Sequence, residues 1–152
     1  MDEDQADRTR DDAKSIDWKI VDPRDAARLK RVKELSAQNQ LQTGGDYYHA
    51  AMILQHSEVA EDYLLAHELC VAAISKGDAR AKWLAPASED RFLMNISRTQ
   101  RFATQFLCDG PPNGEYHLYK VDAGVTDELR RIMMVPSLAE AKAREAEMNK
   151  AR

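Results

Sequence analysis

The sequence lacks the features that identify several large classes of protein. No apolar run approaches the roughly 20 residues that a helix needs to span a bilayer. The N-terminus, MDEDQ, is acidic and precedes no hydrophobic stretch, which argues against a secretory signal. The only cysteines, Cys70 and Cys108, do not have the spacing of metal ligands. We therefore expect reduced thiols and a location in the cytoplasm.

Basic charge and phosphate-binding motifs are also scarce. The net charge is -4, which gives nucleic acid no broad attraction. One basic run, residues 28–33, is more typical of a solvated helix face than of a phosphate-binding patch. The chain contains no glycine-rich phosphate loop and no nucleophile elbow. We expect neither nucleic acid nor a membrane as a partner.

What remains is the composition of a soluble globular protein. The 152 residues are 43% hydrophobic and 32% charged, which is enough for a substantial core. Residues 1–16 are highly charged and almost free of large apolar side chains, so we predict a disordered acidic tail. Residues 17–152 are predicted to form a single helical domain, whose oligomeric state stays open.

Apolar periodicity and helix-end signals predict four helices before residue 105. The first begins at the cap Asp22, with Pro23 in its first turn, and ends before Gly44. The second spans about residues 46–56 and the third about 60–76. On the third, an apolar face is predicted from four residues at helical spacing, Leu64, His67, Val71 and Ile74.

The fourth predicted helix follows a left-handed stop at Gly77 and a cap at Asp78. Pro86 should kink or split this helix, because proline has no backbone N–H. The Gly-Asp pairs at 45–46 and 77–78 are 32 residues apart, which is close to the period of two-helix repeats. Short loops between such helices predict antiparallel neighbours.

After residue 105 the pattern changes. Residues 105–108 and 116–121 flank a turn-rich segment and predict a small β-hairpin. Thr126 should cap a short helix, and Ser137 with Glu140 has the form of a capping box that opens a terminal helix. The predicted fold class is mainly all-α, with antiparallel helical hairpins of tetratricopeptide-like type and a small β-hairpin near residues 105–121.

Three of the four histidines lie in the apolar second and third helices. His49 and His56 are seven residues apart, about 10.5 Å along a helix, so one metal ion cannot join them. We therefore predict no metal site and no cofactor. An antiparallel hairpin places His49 opposite His67, and the next hairpin brings His67 within a turn of Asp90. This layer would let a carboxylate orient one imidazole while another acts as acid or base.

A second polar group is predicted near the other end of these helices. His56 lies there, and the Arg/Gln-rich segment that follows the fourth helix is predicted to return to the same end. Such side chains can hold a small anion or amide through charge-assisted and neutral hydrogen bonds. The predicted ligand-binding residues are His56, Arg91, Arg98, Gln100, Arg101, Thr104 and Gln105. Each histidine taken alone is more typical of a core or boundary position, and Arg98 and Arg101 are also typical of residues that neutralise the carbonyl end of a helix.

Four segments together resemble a bacterial family of small helical proteins of unknown function. They are DYYHAAMI at 46–53, YLLAHEL at 63–69, DRFLM at 90–94 and QRFATQ at 100–105. The resemblance covers about residues 24–149 and includes a Val-Pro-x-Leu segment, here residues 135–138. It implies a helical fold but no activity. It also implies characteristic polar positions at His49, His56, His67, Asp90, Arg91, Gln100, Thr104 and Gln105.

The chain departs from this family pattern at four places. Pro86, Glu89, residues 98–99 (Arg-Thr) and Ala103 stand where the family has Ala, Leu, Arg-Pro and Gly. The last change removes backbone freedom immediately before Thr104.

Three functions remain open. The leading interpretation is a binding or interaction module for a peptide, a protein or a polar small molecule. The second is a small enzyme with His49 or His67 as acid/base and Asp90 as orienting group. The third is a small-molecule sensor or carrier that uses the same pocket. An enclosed pocket around the two histidines would favour an enzyme or a carrier. An exposed apolar surface, with the polar residues dispersed or paired in the interior, would favour an interaction module.

Overall fold

The computed structural model describes residues 18–110 and 114–150. These ranges form six helices and one two-stranded antiparallel sheet, as the sequence predicts. The helices are α1 (Trp18–Ala37), α2 (Gly44–Leu54), α3 (Ala60–Ser75), α4 (Ala81–Asn95), α5 (Asp127–Ile132) and α6 (Leu138–Lys150), and the strands are β1 (Phe106–Cys108) and β2 (Tyr116–Leu118). The predicted N-terminal tail, residues 1–16, lies outside the described ranges.

Local signals fix several helix ends where they were predicted. Gly77 follows α3 with φ of +87°, the left-handed conformation that glycine adopts without strain. Thr126 caps α5 by accepting the N–H of Leu129 at 3.2 Å. Ser137 and Glu140 form the predicted capping box, since each side chain accepts the other's backbone N–H.

The structure corrects the predicted helix start at Pro23 and shows that Pro86 does not split its helix. Trp18 is already helical in α1, so Pro23 lies inside that helix and does not mark its start. Pro86 lies inside α4, which runs unbroken from Ala81 to Asn95. A proline removes only one bond of the helical ladder, and the buried neighbours Ala85 and Ala87 fix this turn against the core.

The predicted cap of the fourth helix is also corrected. The residue that immediately precedes α4 is Arg80, whose own side chain makes no capping bond. Asp78 accepts the Arg80 backbone N–H at 3.1 Å and pairs with the Arg80 guanidinium at 2.5 Å. Asp78 therefore shapes the turn between α3 and α4 and does not cap the helix directly.

Helices α2, α3 and α4 form two consecutive antiparallel hairpins. The N-terminus of α2 meets the C-terminus of α3, because a Cβ at Gly44 would lie 3.2 Å from the carbonyl oxygen of Ala73. The return of α4 along α3 is fixed where His67 Nδ1 lies 2.9 Å from the carbonyl oxygen of Ala85. The core between them is rich in alanine: Ala50, Ala51, Leu54, Ala66, Leu69, Cys70, Ala73, Ala81, Leu84 and Ala85.

The buried face of α3 differs from the predicted one. Leu64 and Val71 are 38% and 52% exposed, while Ala66, Cys70 and Ala73 are fully buried. Small side chains let α2 and α4 approach α3 closely, so the alanine face makes the inter-helix contacts. Leu64 and Val71 therefore remain at the surface, whereas Ile74 of the predicted face is partly buried against the core.

The chain after α4 packs as a second, smaller unit of structure. Phe102, Val125 and Val135 form its buried cluster, and the partly buried Met133 contacts both this cluster and the helical core. Helix α6 lies along β2, where Asn149 exchanges two hydrogen bonds with the backbone of Tyr116. Within the described ranges, no helix has both the length and the apolar character needed to cross a membrane.

Candidate functional site

Asp90 holds the loop that follows α4. Its carboxylate is fully buried and accepts the backbone N–H groups of Arg101 at 2.6 Å, Phe102 at 3.0 Å and Thr104 at 3.0 Å. It also accepts the Thr104 hydroxyl at 2.8 Å. Ala103, inside this loop, has φ of +60°, so the chain folds tightly around the carboxylate. Asp90 thus satisfies backbone donors that would otherwise lack partners inside the protein.

Gln100 and Gln105 join this loop to the β-hairpin. Gln100 Oε1 accepts the Gln105 N–H at 2.9 Å, and Gln100 Nε2 donates to the carbonyl oxygens of Gln105 and Tyr119. Gln105 Nε2 donates to the carbonyl oxygen of Ala87 and to the Thr104 hydroxyl. Both side chains are buried, and their donors and acceptors are used by the fold.

Arg91 connects three parts of the structure. Its Nε donates to Gln105 Oε1 at 3.1 Å, and its NH1 donates to the carbonyl oxygen of Gln55 at 2.6 Å. It therefore ties α4 to the end of α2 and to the loop. The predicted ligand-binding residues Arg91, Gln100, Thr104 and Gln105 do come together, as the sequence suggested. They do so by bonding one another and the backbone.

Arg130 is a buried residue that the sequence did not single out. Its side chain is 1% exposed, and NH2 donates to the carbonyl oxygen of Arg101 at 2.9 Å. Its Nε lies 3.5 Å from Asp127. Arg101 is thus fixed on both sides, by Asp90 at its N–H and by Arg130 at its carbonyl. No local pattern around position 130 distinguishes this arginine from an ordinary i,i+3 surface pair.

His67 has one ring nitrogen engaged with the backbone. Its Nδ1 lies 2.9 Å from the carbonyl oxygen of Ala85. A carbonyl can only accept, so Nδ1 carries the proton and Nε2 of the neutral ring is left as acceptor. The Asp90 carboxylate makes its hydrogen bonds to residues 101, 102 and 104, so His67 is oriented by a main-chain carbonyl. The acid/base role of His67 stays a prediction.

Glu89 is an acidic side chain whose pKa is affected by this imidazole, and the sequence analysis did not select it as a site residue. It lies four residues after Ala85, and helical side chains lean over the turn that precedes them, which here carries the His67 contact. Arg101 Nε is 3.6 Å from Glu89 Oε1. Burial raises the pKa of Glu89, and the negative charge of Asp90 raises it further. His67 and Arg101 lower the Glu89 pKa.

His49 lies near the middle of α2. Its ring is tilted by 57° against that of Tyr48, with 5.6 Å between centroids. Its electrostatic neighbours are Asp46 and Asp78, and it contributes to lowering the pKa of both carboxyl groups, behind their hydrogen bonds to the turn residues. These contacts belong to the start of α2 and the turn before α4. His67 and Asp90 therefore both influence Glu89, whereas the described contacts of His49 are with Tyr48, Asp46 and Asp78.

His56 and Arg98 are the remaining predicted ligand-binding residues. His56 is half-buried at the end of α2, next to Ser57, whose hydroxyl donates to Asp62 at 2.6 Å. Asp62 also pairs with Lys33 of α1 at 2.7 Å. Arg98 is exposed in the turn after α4 and has no described contact with the Asp90 loop. The ligand-binding role predicted for these two residues stays a prediction.

Two concave surfaces in the described part of the chain are lined by residues outside the predicted site. One groove of about 490 Å³ lies between residues 118–121 and α6, and another of about 310 Å³ is lined by Tyr47 and Lys76. No group of three or more His, Cys, Asp or Glu side chains in residues 18–110 and 114–150 could hold a metal ion. Comparisons with models of protein families, with curated proteins and with solved structures found no match for this chain.

Proposed function

We propose that this protein is a helical interaction module that binds another protein through the exposed face of α3 and α4. The observation that carries this proposal is that polar side chains are used inside the fold while large apolar side chains are exposed. Asp90 accepts backbone N–H groups of its own loop, and Gln100 and Gln105 bond each other and nearby carbonyls, which leaves little of their hydrogen-bonding capacity for a substrate. Large apolar residues on the adjacent helices remain exposed.

The exposed residues are arranged on one hairpin. Leu64 and Val71 are two turns apart on α3, about 10.5 Å along one stripe. Trp83 of α4 is 46% exposed. The contact of His67 with Ala85 aligns the two helices so that Val71 and Trp83 are level along the hairpin. Exposed apolar side chains that recur on one element are typical of sites that contact other proteins, and tryptophan is common among their strongest contributors.

Site-specific photocrosslinking in the native cells tests this proposal. A photoreactive amino acid at position 71 should give a discrete higher-mass adduct. The same amino acid at Ala143, an exposed position on α6, should not. Adding Leu64→Glu to the position-71 probe should remove the adduct without lowering the urea midpoint of unfolding, because Leu64 lies at the surface. Equal adducts at both positions, or an adduct that survives Leu64→Glu, would contradict the proposed surface.

A second candidate function is an acid/base enzyme or a small-molecule carrier. The observation that favours it is the fixed tautomer of His67 beside Glu89 and Arg101, whose backbone is held by two buried charged residues. Preorganisation of this kind is typical of catalytic sites. Native mass spectrometry would separate the two functions. A bound small molecule that is lost in Arg101→Ala but kept in Arg98→Ala would favour this second function over the first.

The proposed location is the cytoplasm. Cys70 and Cys108 are both free thiols, and Cys70 is fully buried in the helical core. Reduced thiols are typical of cytoplasmic proteins. Fractionation of cells that carry a tagged full-length chain would test this location.

A further inference from the structure

The outer edge of β2 is closed by side chains of α6. Tyr119 N–H donates to Gln105 at 3.1 Å, so the alternation of an antiparallel ladder turns the backbone groups of Tyr116 and Leu118 away from β1. Asn149 accepts the Tyr116 N–H at 2.8 Å and donates to its carbonyl at 2.9 Å, the two bonds that a strand residue would make. Helix α6 therefore takes the place of a third strand at this position.

The side chains of α6 replace a third strand only as far as the Leu118 N–H. Glu145 accepts the Leu118 N–H at 2.5 Å, but among residues 18–110 and 114–150 no hydrogen bond reaches the Leu118 carbonyl oxygen. The groove of about 490 Å³ begins here, between residues 118–121 and α6. An unpaired strand carbonyl at an open edge is a point where another extended chain can add.

The lining of the groove indicates what kind of chain it fits. Val121 and Leu138 are half-buried apolar residues, and Lys120 and Lys142 are exposed and basic. Glu145 also lines the groove, and its carboxylate is held by the Leu118 N–H. Two lysines that flank an apolar floor complement an acidic ligand.

We propose that this groove binds an extended acidic segment of a partner protein, which continues the sheet beside β2. A backbone N–H of the segment donates to the Leu118 carbonyl. Because side chains alternate along a strand, one set packs on Val121 and Leu138 while the neighbouring acidic side chains face Lys120 and Lys142. The partner motif is therefore an alternation of apolar and acidic residues. This site is separate from the exposed face of α3 and α4 and does not depend on it.

Fluorescence anisotropy with a labelled peptide of four Val-Glu repeats tests the proposal on the full-length chain. The peptide should bind saturably, and a Val-Lys peptide should bind at least tenfold more weakly. A Val-Glu peptide methylated at every backbone nitrogen should also lose at least tenfold in affinity, because no backbone N–H is left to donate to the Leu118 carbonyl. Binding that is equal for all three peptides would overturn the proposal.

Charge reversal locates the site. Lys120→Glu with Lys142→Glu should weaken binding of the Val-Glu peptide at least tenfold. The matched pair Lys30→Glu with Lys150→Glu, also exposed lysines, should change it less than twofold. Equal loss in both pairs would show a nonspecific charge effect and overturn the proposal. A concentration-dependent dimer that binds no peptide would assign the groove to a second copy of this chain and would also overturn it. If the photoreactive probe at position 71 gives no adduct, the results expected for peptide binding to this groove stay the same.

Discussion

Replacing Asp90 with asparagine should weaken the fold far more than its small change in shape suggests. The carboxylate is fully buried and accepts three backbone N–H groups and one hydroxyl from residues 101, 102 and 104. An asparagine keeps one acceptor oxygen and turns an NH2 group toward donors that now have no partner. The loss is therefore one of hydrogen bonds to a charged group together with unsatisfied donors in the interior.

The magnitude follows from the number of these bonds. A hydrogen bond to a charged group contributes about 1.5–3 kcal/mol, and bonds that share one acceptor group do not add independently. We expect Asp90→Asn to lower the free energy of unfolding by about 3–5 kcal/mol, which is a large part of the roughly 5–15 kcal/mol that stabilises a typical domain. Urea unfolding followed by circular dichroism measures this difference.

The matched control is Glu128→Gln. Glu128 pairs with Arg131 at 2.7 Å on the surface of α5, so its loss should leave the urea midpoint unchanged. The reasoning would be refuted if Asp90→Asn unfolded at the same urea concentration as the wild type. It would also be refuted if Glu128→Gln and Asp90→Asn were destabilised equally, because the effect would then be one of net charge.

Three further changes test other parts of the structure. Ala103→Gly should raise the free energy of unfolding by about 0.5–1 kcal/mol, since glycine adopts the observed φ of +60° without strain, and urea unfolding would show no gain if the loop relaxes. Burial raises the pKa of Glu89 in the folded state, so the wild type loses stability as pH rises through that pKa. Glu89→Gln should therefore gain stability relative to the wild type as pH rises above the ordinary pKa of a glutamic acid, about 4.3, and a constant difference would contradict this. Burial raises the pKa of Cys70 to about 12, so a thiol reagent should modify Cys108 first in the native protein, which peptide mass mapping can check.

The parts of the fold that local chemistry decides could be predicted from the sequence. Gly77, Thr126 and the Ser137–Glu140 capping box each act through neighbours within a few residues, and each lies at the predicted helix end. The β-hairpin was also confirmed, because its strands flank a short turn-rich segment. Such signals survive folding since no distant contact competes with them.

The choice of buried face could not be predicted in the same way. Helix α3 carries two apolar stripes, one with Leu64 and Val71 and the other with Ala66, Cys70 and Ala73. Size favours the first stripe for the core, but close helix packing selected the second. That selection depends on the alanines of α2 and α4, which lie far away in the sequence.

The polar residues show the same limit. The sequence placed Asp90 with His49 and His67 and the two glutamines in a separate group, whereas the structure has Asp90, Gln100 and Gln105 holding the same loop. Their partners, however, are mostly backbone groups of a loop whose conformation is set by Ala103. Sequence spacing identifies side chains that can meet, whereas it carries little information about main-chain donors eleven to fourteen residues away.

The measurement that tests the account most directly is native-state hydrogen exchange at the amides of Phe102, Thr104 and Gln105. If Asp90 and Gln100 are committed to holding the loop, these amides should exchange as slowly as that of Leu84 in the helical core. Exchange several orders of magnitude faster would contradict the account. It would mean that the polar side chains leave the loop readily and are available to a substrate, and the enzyme would then replace the interaction module as the leading function.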